Sequence, residues 1–238
     1  GPAGMDRALA MVTSHNRLLL DGGLATELEA RGHCLNDRLW SARLLRDQPQ
    51  EILMAHRAFV DAGADVITTA SYQATFQGFQ QQGMDESAAA ALLRHSVRLA
   101  RQAADPAGCL VAASIGPYGA YLANGAEYTG NYDLDESELV RFHQRRWQVL
   151  AEEQPHILLC ETIPSLTESL VLAQLAEQTP QIPAWISFSC RNGGEICDGT
   201  KIETVIERLA EIDAVKAVGI NCTPPRLLPE LIRRIRRI

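Results

Sequence analysis

Residues 49–70 read PQEILMAHRAFVDAGADVITTA, and this stretch holds one complete structural unit. Pro49 stands where a first helical turn begins, a position at which a missing N–H costs nothing. Ile52, Leu53, His56, Phe59 and Val60 then recur at helical spacing, and Gly63 supplies a stop. Residues 65–70 (DVITTA) follow at once as a short, β-branched, largely apolar run. A run of that kind predicts a strand covered on both faces, as in a parallel sheet.

The same alternation extends in both directions. Strands are predicted at 17–21 (RLLLD), 109–114 (CLVAAS), 156–161 (HILLCE), 184–189 (AWISFS) and 217–221 (AVGIN), with amphipathic helical patterns between them. Asp135-Glu136-Ser137-Glu138 loads acidic charge onto one helix start, where the macrodipole favours it. Leu227, Leu228, Leu231, Ile232, Ile235 and Ile238 form a last helical stripe. Its arginines (Arg233, Arg234, Arg236, Arg237) read as a solvated face rather than an anion-docking site. Strand and helix in strict alternation mean a parallel sheet, either doubly wound or closed into a barrel. Neither G-x-G-x-x-G nor G-x-x-x-x-G-K-[ST] occurs, so a nucleotide-binding sheet has no motif support. The predicted fold class is α/β, a (β/α)8 TIM barrel of which about six βα units are present. Eight units typically take about 250 residues, so two are expected to be missing beyond the sixth helix.

Composition narrows the function. The 238 residues carry a net charge of −7, with 46% hydrophobic and 21% charged residues, which is globular and argues against a nucleic-acid partner. No apolar run reaches the roughly 20 residues that span a bilayer, and no signal peptide is visible, so the expected location is cytoplasmic. Gly1-Pro2-Ala3-Gly4 ahead of Met5 reads as a cloning scar, which leaves 5–238 as a single, incomplete barrel domain. Six cysteines without a C-x-x-C pair read as reduced thiols. Lys201 and Lys216 are the two lysines, and no lysine lies at a strand end other than Lys201, in a loop after Asp198-Gly199-Thr200, which disfavours a different barrel enzyme such as a Schiff-base aldolase or a phosphate-handling isomerase.

Barrel chemistry collects at the C-terminal strand ends. Here those ends read Asp21-Gly22-Gly23, Thr69-Ala70-Ser71-Tyr72, Gly116-Pro117-Tyr118-Gly119, Glu161-Thr162, Ser189-Cys190 and Asn221-Cys222. Asp21 and Glu161 together would clamp an ammonium group, and the N–H groups of Gly22-Gly23 would receive a carboxylate, the pair of contacts a free amino acid needs. The competing reading has Asp21 capping the next helix and Glu161 paired with an arginine. All five tyrosines lie near this rim: Tyr72, and Tyr118, Tyr121, Tyr128 and Tyr132 in the third βα connection. Their faces would attract a cation, unless the segment merely packs on itself. Cys222 is either a small core residue or a metal ligand. Cys160 precedes Glu161, so strand alternation sets the two on opposite faces. None of the six histidines adjoins a strand's C-terminal end, and no histidine ligand is expected.

At these residues the chain resembles the homocysteine S-methyltransferase family, with its S-methylmethionine-, betaine- and cobalamin-dependent members. The similarity runs through LLLDGGLATELEARG (18–32), LWSARLL (39–45), ITTASYQAT (67–75), SIGPYGAYLANGAEYTGNY (114–132), CETIP (160–164), SFSCRNGGEICDG (187–199) and GINC (219–222). The S-methylmethionine-using branch is the most similar. The resemblance implies a (β/α)8 barrel with one Zn2+ held by three cysteines and by the sulfur of homocysteine. It assigns Cys222 as a zinc ligand, Asp21 and Glu161 to the amino group of homocysteine, and Gly22-Gly23 to its carboxylate. It places Trp40, Thr69 and Tyr72 in pocket-lining segments, and Asn221 beside the ligand cysteine. The implied reaction moves a methyl group from S-methylmethionine, or a similar sulfonium, to homocysteine and gives methionine. The family's other two zinc ligands form a Cys-Cys pair at an eighth strand, and no Cys-Cys occurs in this sequence. The zinc site is therefore expected to be incomplete. The alternative expectation is an inactive, shortened chain that keeps part of the amino-acid pocket and self-associates through an open sheet edge.

Overall fold

The computed structural model describes residues 9–13, 17–20, 40–122, 125–130 and 132–236. Strands β1 (Leu9–Thr13) and β2 (Arg17–Leu20) come first, followed by helices α1 (Trp40–Asp47) and α2 (Pro49–Asp61). Strand β3 (Val66–Thr68) leads into α3 (Phe76–Gln81) and α4 (Glu86–Ala104). Strand β4 (Leu110–Ile115) leads into α5 (Tyr118–Leu122) and α6 (Glu136–Glu152). Then come β5 (Ile157–Ile163), α7 (Leu166–Glu177), β6 (Ala184–Phe188), α8 (Ile202–Ala210), β7 (Val215–Ile220) and α9 (Leu228–Arg236).

Strands β3 to β7 are parallel neighbours in chain order, and the sheet reads β2-β1-β7-β6-β5-β4-β3. The departure from expectation is at the start. The predicted first strand forms at 17–20, but it joins the sheet through β1, which runs antiparallel to both β2 and β7. The sequence there reads LAMVT, SHN, RLLL, two apolar runs around a short polar turn, which is a hairpin pattern. Pairing of Ala10–Thr13 with Ile220–Ala217 occupies the edge of β7, the edge expected to drive self-association.

The sheet is apolar on both faces. Ala112, Ile157, Leu159, Trp185 and Ala217 cluster on one side. Val111, Ala113, Leu158, Cys160, Ile186 and Ile220 belong to the larger core beneath the helices, with Leu93, Val97, Trp147, Leu150 and Leu172. Local signals act as read: Gly63 takes φ +92 just past α2, a conformation that costs glycine little. Asp135 caps α6 and closes a capping box with Glu138. On α9, Leu231 and Ile235 are buried, while Arg234 pairs with Glu230 at 3.1 Å and Glu203 at 3.5 Å. Among the described residues, no helix is long and apolar enough to cross a membrane.

His56 is fully buried among the apolar side chains around α2, and neither ring nitrogen has a hydrogen-bond partner among the described residues. Burial pulls its pKa down to about 4. A lowered folded pKa means that the unfolded chain takes up the proton first. Stability therefore falls as pH drops from about 6.5 to about 4, by roughly 3 kcal/mol in all. His56→Leu is expected to remove that part of the acid limb. Urea unfolding at pH 4.5 and 7 checks it, and an unchanged difference between the two pH values would contradict it.

Candidate active site

The chain leaves β5 through an irregularity. Pairing with β6 shifts register between Cys160 and Ile163, and Thr162 sits at φ +61, unusual for a β-branched residue. The extra residue is a bulge, a device that re-aims side chains at the end of a strand. Cys160 stays in the core under the helices, where burial pushes its thiol well above the ordinary range, while the neighbouring Glu161 is half-buried. That is the separation of faces the alternation predicts.

Because of the bulge, Thr162 meets the end of β7. Its N–H donates to Asn221 Oδ1 at 2.9 Å, and Asn221 Nδ2 donates to Thr162 Oγ1 at 2.8 Å. From β6, Ser187 Oγ also donates to Asn221 Oδ1, at 2.7 Å. Cys222 then takes φ +48, and its half-buried Sγ receives Thr162 Oγ1 at 3.6 Å and Asn221 Nδ2 at 3.5 Å. Glu161 and Cys222, distant in sequence, are thus joined through Thr162 and Asn221. Two non-glycine residues with positive φ in direct contact mark strain held by the surrounding network, as functional sites often do.

Tyr72 closes the other side. Its hydroxyl lies against Thr162 and near Cys222, Glu127 and Tyr128, and its pKa is raised, first by burial and then by Cys222, Glu127 and Tyr128, while the hydrogen bond with Thr162 opposes the shift. Its carbonyl accepts from Gly116 N at 3.2 Å. A Cβ at Gly116 would collide with the carbonyl and ring of Tyr72, so only glycine fits there. Thr69 is buried, and its hydroxyl bonds Ser71 Oγ at 2.6 Å and accepts from Ser114 N at 3.0 Å. Asp21, Gly22 and Gly23 lie outside the described residues, as does the side chain of Trp40.

The tyrosine-rich connection contains α5 and a 3-10 turn at Ala126–Tyr128. Glu127 is buried in that turn, and its carbonyl accepts from Ser189 Oγ at 2.9 Å. Behind the segment lies a buried polar network that the sequence reading missed. Glu168 Oε2 accepts from Tyr118 N at 2.8 Å and from His143 Nε2 at 2.7 Å, and Tyr132 Oη donates to Glu168 Oε1 at 3.1 Å. Arg146 donates to His143 Nδ1 at 3.1 Å and to Gly116 O at 2.7 Å, with longer approaches of 3.4 Å to Tyr72 O and Ala74 O. With Nδ1 accepting, Nε2 carries the imidazole proton. Burial lowers the His143 pKa, so the ring is neutral between a cation and a carboxylate. Ser165-x-x-Glu168 reads as a capping box, and Ser165 does cap α7 through Glu168 N. The Glu168 side chain turns inward instead. His143 and Arg146, three apart on one helix face, were the other half of the signal.

Among the described residues, no group of three His, Cys, Asp or Glu side chains is placed to hold a metal ion. Cys222 is a single thiol without the further donors that tetrahedral zinc takes, so the described residues do not fit a zinc centre.

A family model described as homocysteine S-methyltransferase matches residues 18–238. Homocysteine S-methyltransferase YbgG of Bacillus subtilis (strain 168) is 45% identical over 231 residues, covering 92% of this chain and 73% of that protein. Homocysteine S-methyltransferase 2 of Zea mays is 44% identical over 241 residues, covering 93% and 70%. The crystal structure of the metallated form of the homocysteine methyltransferase MmuM from Escherichia coli superposes with a TM-score of 0.87 at 42% identity, covering 92% of this chain and 78% of that chain. Its oxidized form gives a TM-score of 0.86 at 41% identity, covering 91% and 77%. The five parallel strands are a sector of a (β/α)8 barrel, and the chain belongs to the homocysteine S-methyltransferase family.

Proposed function

We propose that this chain transfers a methyl group to the sulfur of homocysteine from a sulfonium donor of the S-methylmethionine type, as a cytoplasmic enzyme. The observation that carries the reading is the link from Glu161 through Thr162 and Asn221 to Cys222. It brings the end of β5, where Glu161 precedes Thr162, to the end of β7 at Cys222, and we read the carboxylate as the group for an ammonium and the thiol as marking the neighbourhood of a sulfur. Asp21, with Gly22 and Gly23, would complete the amino-acid contacts, and Trp40 and Thr69 would line the pocket.

In the reaction, homocysteine gives its thiol proton to solvent water and the sulfur attacks the methyl carbon. The bond from that carbon to the donor sulfur breaks, and the electron pair leaves with a neutral thioether. With S-methylmethionine both products are methionine. No acid is needed for such a leaving group, so the work of the chain is alignment and charge placement. A free thiol near pKa 8.5 is only a few per cent ionised at neutral pH, which leaves its deprotonation the demanding step. Glu161 holds the ammonium, and the faces of Tyr72 and Tyr128 suit the donor cation.

The test is methyl transfer with deuterated-methyl S-methylmethionine and homocysteine, read by mass spectrometry. Labelled methionine formed by the parent chain and lost in Cys222→Ala is the expected result. Binding of homocysteine with no labelled product would leave a binding protein and refute the transfer.

A further inference from the structure

We infer that Glu168 is a positioning residue for the methyl donor, fastening both ends of the tyrosine-bearing segment over the rim. The inference rests on the reading above. Glu168 is completely buried, and its two oxygens serve opposite ends of one connection. Oε2 takes Tyr118 N at the entry, while Oε1 takes the Tyr132 hydroxyl at the exit. Tyr132 Oη in turn accepts from Gly119 N at 3.0 Å, which pins entry and exit to each other. Between these points the chain carries Glu127 and Tyr128, the residues beside Tyr72 near Cys222.

The same network sets Tyr72. The neutral His143 bridges Glu168 to Arg146, and Arg146 reaches the carbonyls of Tyr72, Ala74 and Gly116. Tyr118 also packs edge-on against Tyr132 at 5.3 Å and Phe142 at 4.9 Å, which fixes the rings the backbone bonds have placed. One carboxylate thus governs the aromatic side of the pocket. Its hydrogen bonds go to Tyr118 and Tyr132 of that segment, to His143 of α6 and to Ser165 at the cap of α7, whereas the bonds to the Cys222 sulfur come from Thr162 and Asn221. That division is the basis for a selective effect. Disturbing Glu168 moves groups suited to a cation and leaves those suited to the amino acid acceptor.

The experiment measures equilibrium binding of S-methylmethionine and, separately, of homocysteine to the parent chain, Tyr132→Phe and Glu168→Gln. Tyr132→Phe removes one hydroxyl and leaves the ring stack, so it reports even if Glu168→Gln folds poorly. S-methylmethionine binding is expected to weaken about 2- to 10-fold in Tyr132→Phe and about 10- to 100-fold in Glu168→Gln, with homocysteine binding within about twofold of the parent. Equal loss of both ligands would reduce Glu168 to a structural residue and overturn the inference. Unchanged binding of S-methylmethionine in both variants would overturn it too, with the proposed function intact. A parent chain that binds no sulfonium would refute the donor assignment itself and take the inference with it.

Discussion

Arg146→Met is expected to lower the unfolding free energy by about 3–5 kcal/mol. The guanidinium is 1% exposed, and burial pulls its pKa down only to about 10, so it is charged at neutral pH. Its charge faces Glu168 through the neutral His143, and it supplies donors to the carbonyl of Gly116 and to His143 Nδ1. Methionine fills much of the volume but leaves a buried carboxylate without its cation. The loss of the charge, not of the packing, makes the cost large. Arg146→Lys is expected to rescue little, because a single ammonium cannot reach partners spread around a planar fork. The double variant Arg146→Met, Glu168→Gln should recover part of the loss, since it removes both charges. Urea unfolding of the three variants checks this, and a loss below about 1 kcal/mol for Arg146→Met would show that the network carries little stability.

Glu161→Gln is expected to weaken homocysteine binding about 10- to 100-fold, the ordinary worth of a charge-assisted hydrogen bond. The substitution keeps shape and one acceptor and removes the charge that faces an ammonium. Glu161 is half-buried at the end of β5, so any cost to the fold must be read apart from the loss of binding. Calorimetry with homocysteine, beside a thermal melt, separates the two effects. Unchanged affinity would return Glu161 to the competing reading, in which it is paired within the protein.

The fold was legible where burial on both faces left nearly continuous apolar runs, as at β4, β5, β6 and β7. It was less legible at 9–13, because a barrel built of parallel units leaves no place for an antiparallel strand. Alternation along β5 put Cys160 and Glu161 on opposite faces, and they are so placed. What alternation cannot show is a bulge, since an inserted residue breaks the period on which the reading depends. Thr162 carries no mark of its own beside Glu161 in the sequence, although it is the residue that reaches Asn221 and Cys222. Glu168 was hidden for another reason: its spacing from Ser165 has an adequate local explanation at a helix start. Only the packing of α6 against α7 brings it to His143. The zinc expectation came from resemblance, and Cys222 with its described neighbours supplies one thiol toward it.

The central claim is that one rim takes the ammonium of homocysteine at Glu161 and its sulfur at Cys222. A crystal structure of the chain with homocysteine bound tests it most directly. The account predicts the amino nitrogen about 2.7–2.9 Å from a Glu161 carboxylate oxygen and the ligand sulfur on the side of Cys222. Homocysteine bound with its amino group away from Glu161, or with its sulfur turned from Cys222, would contradict it.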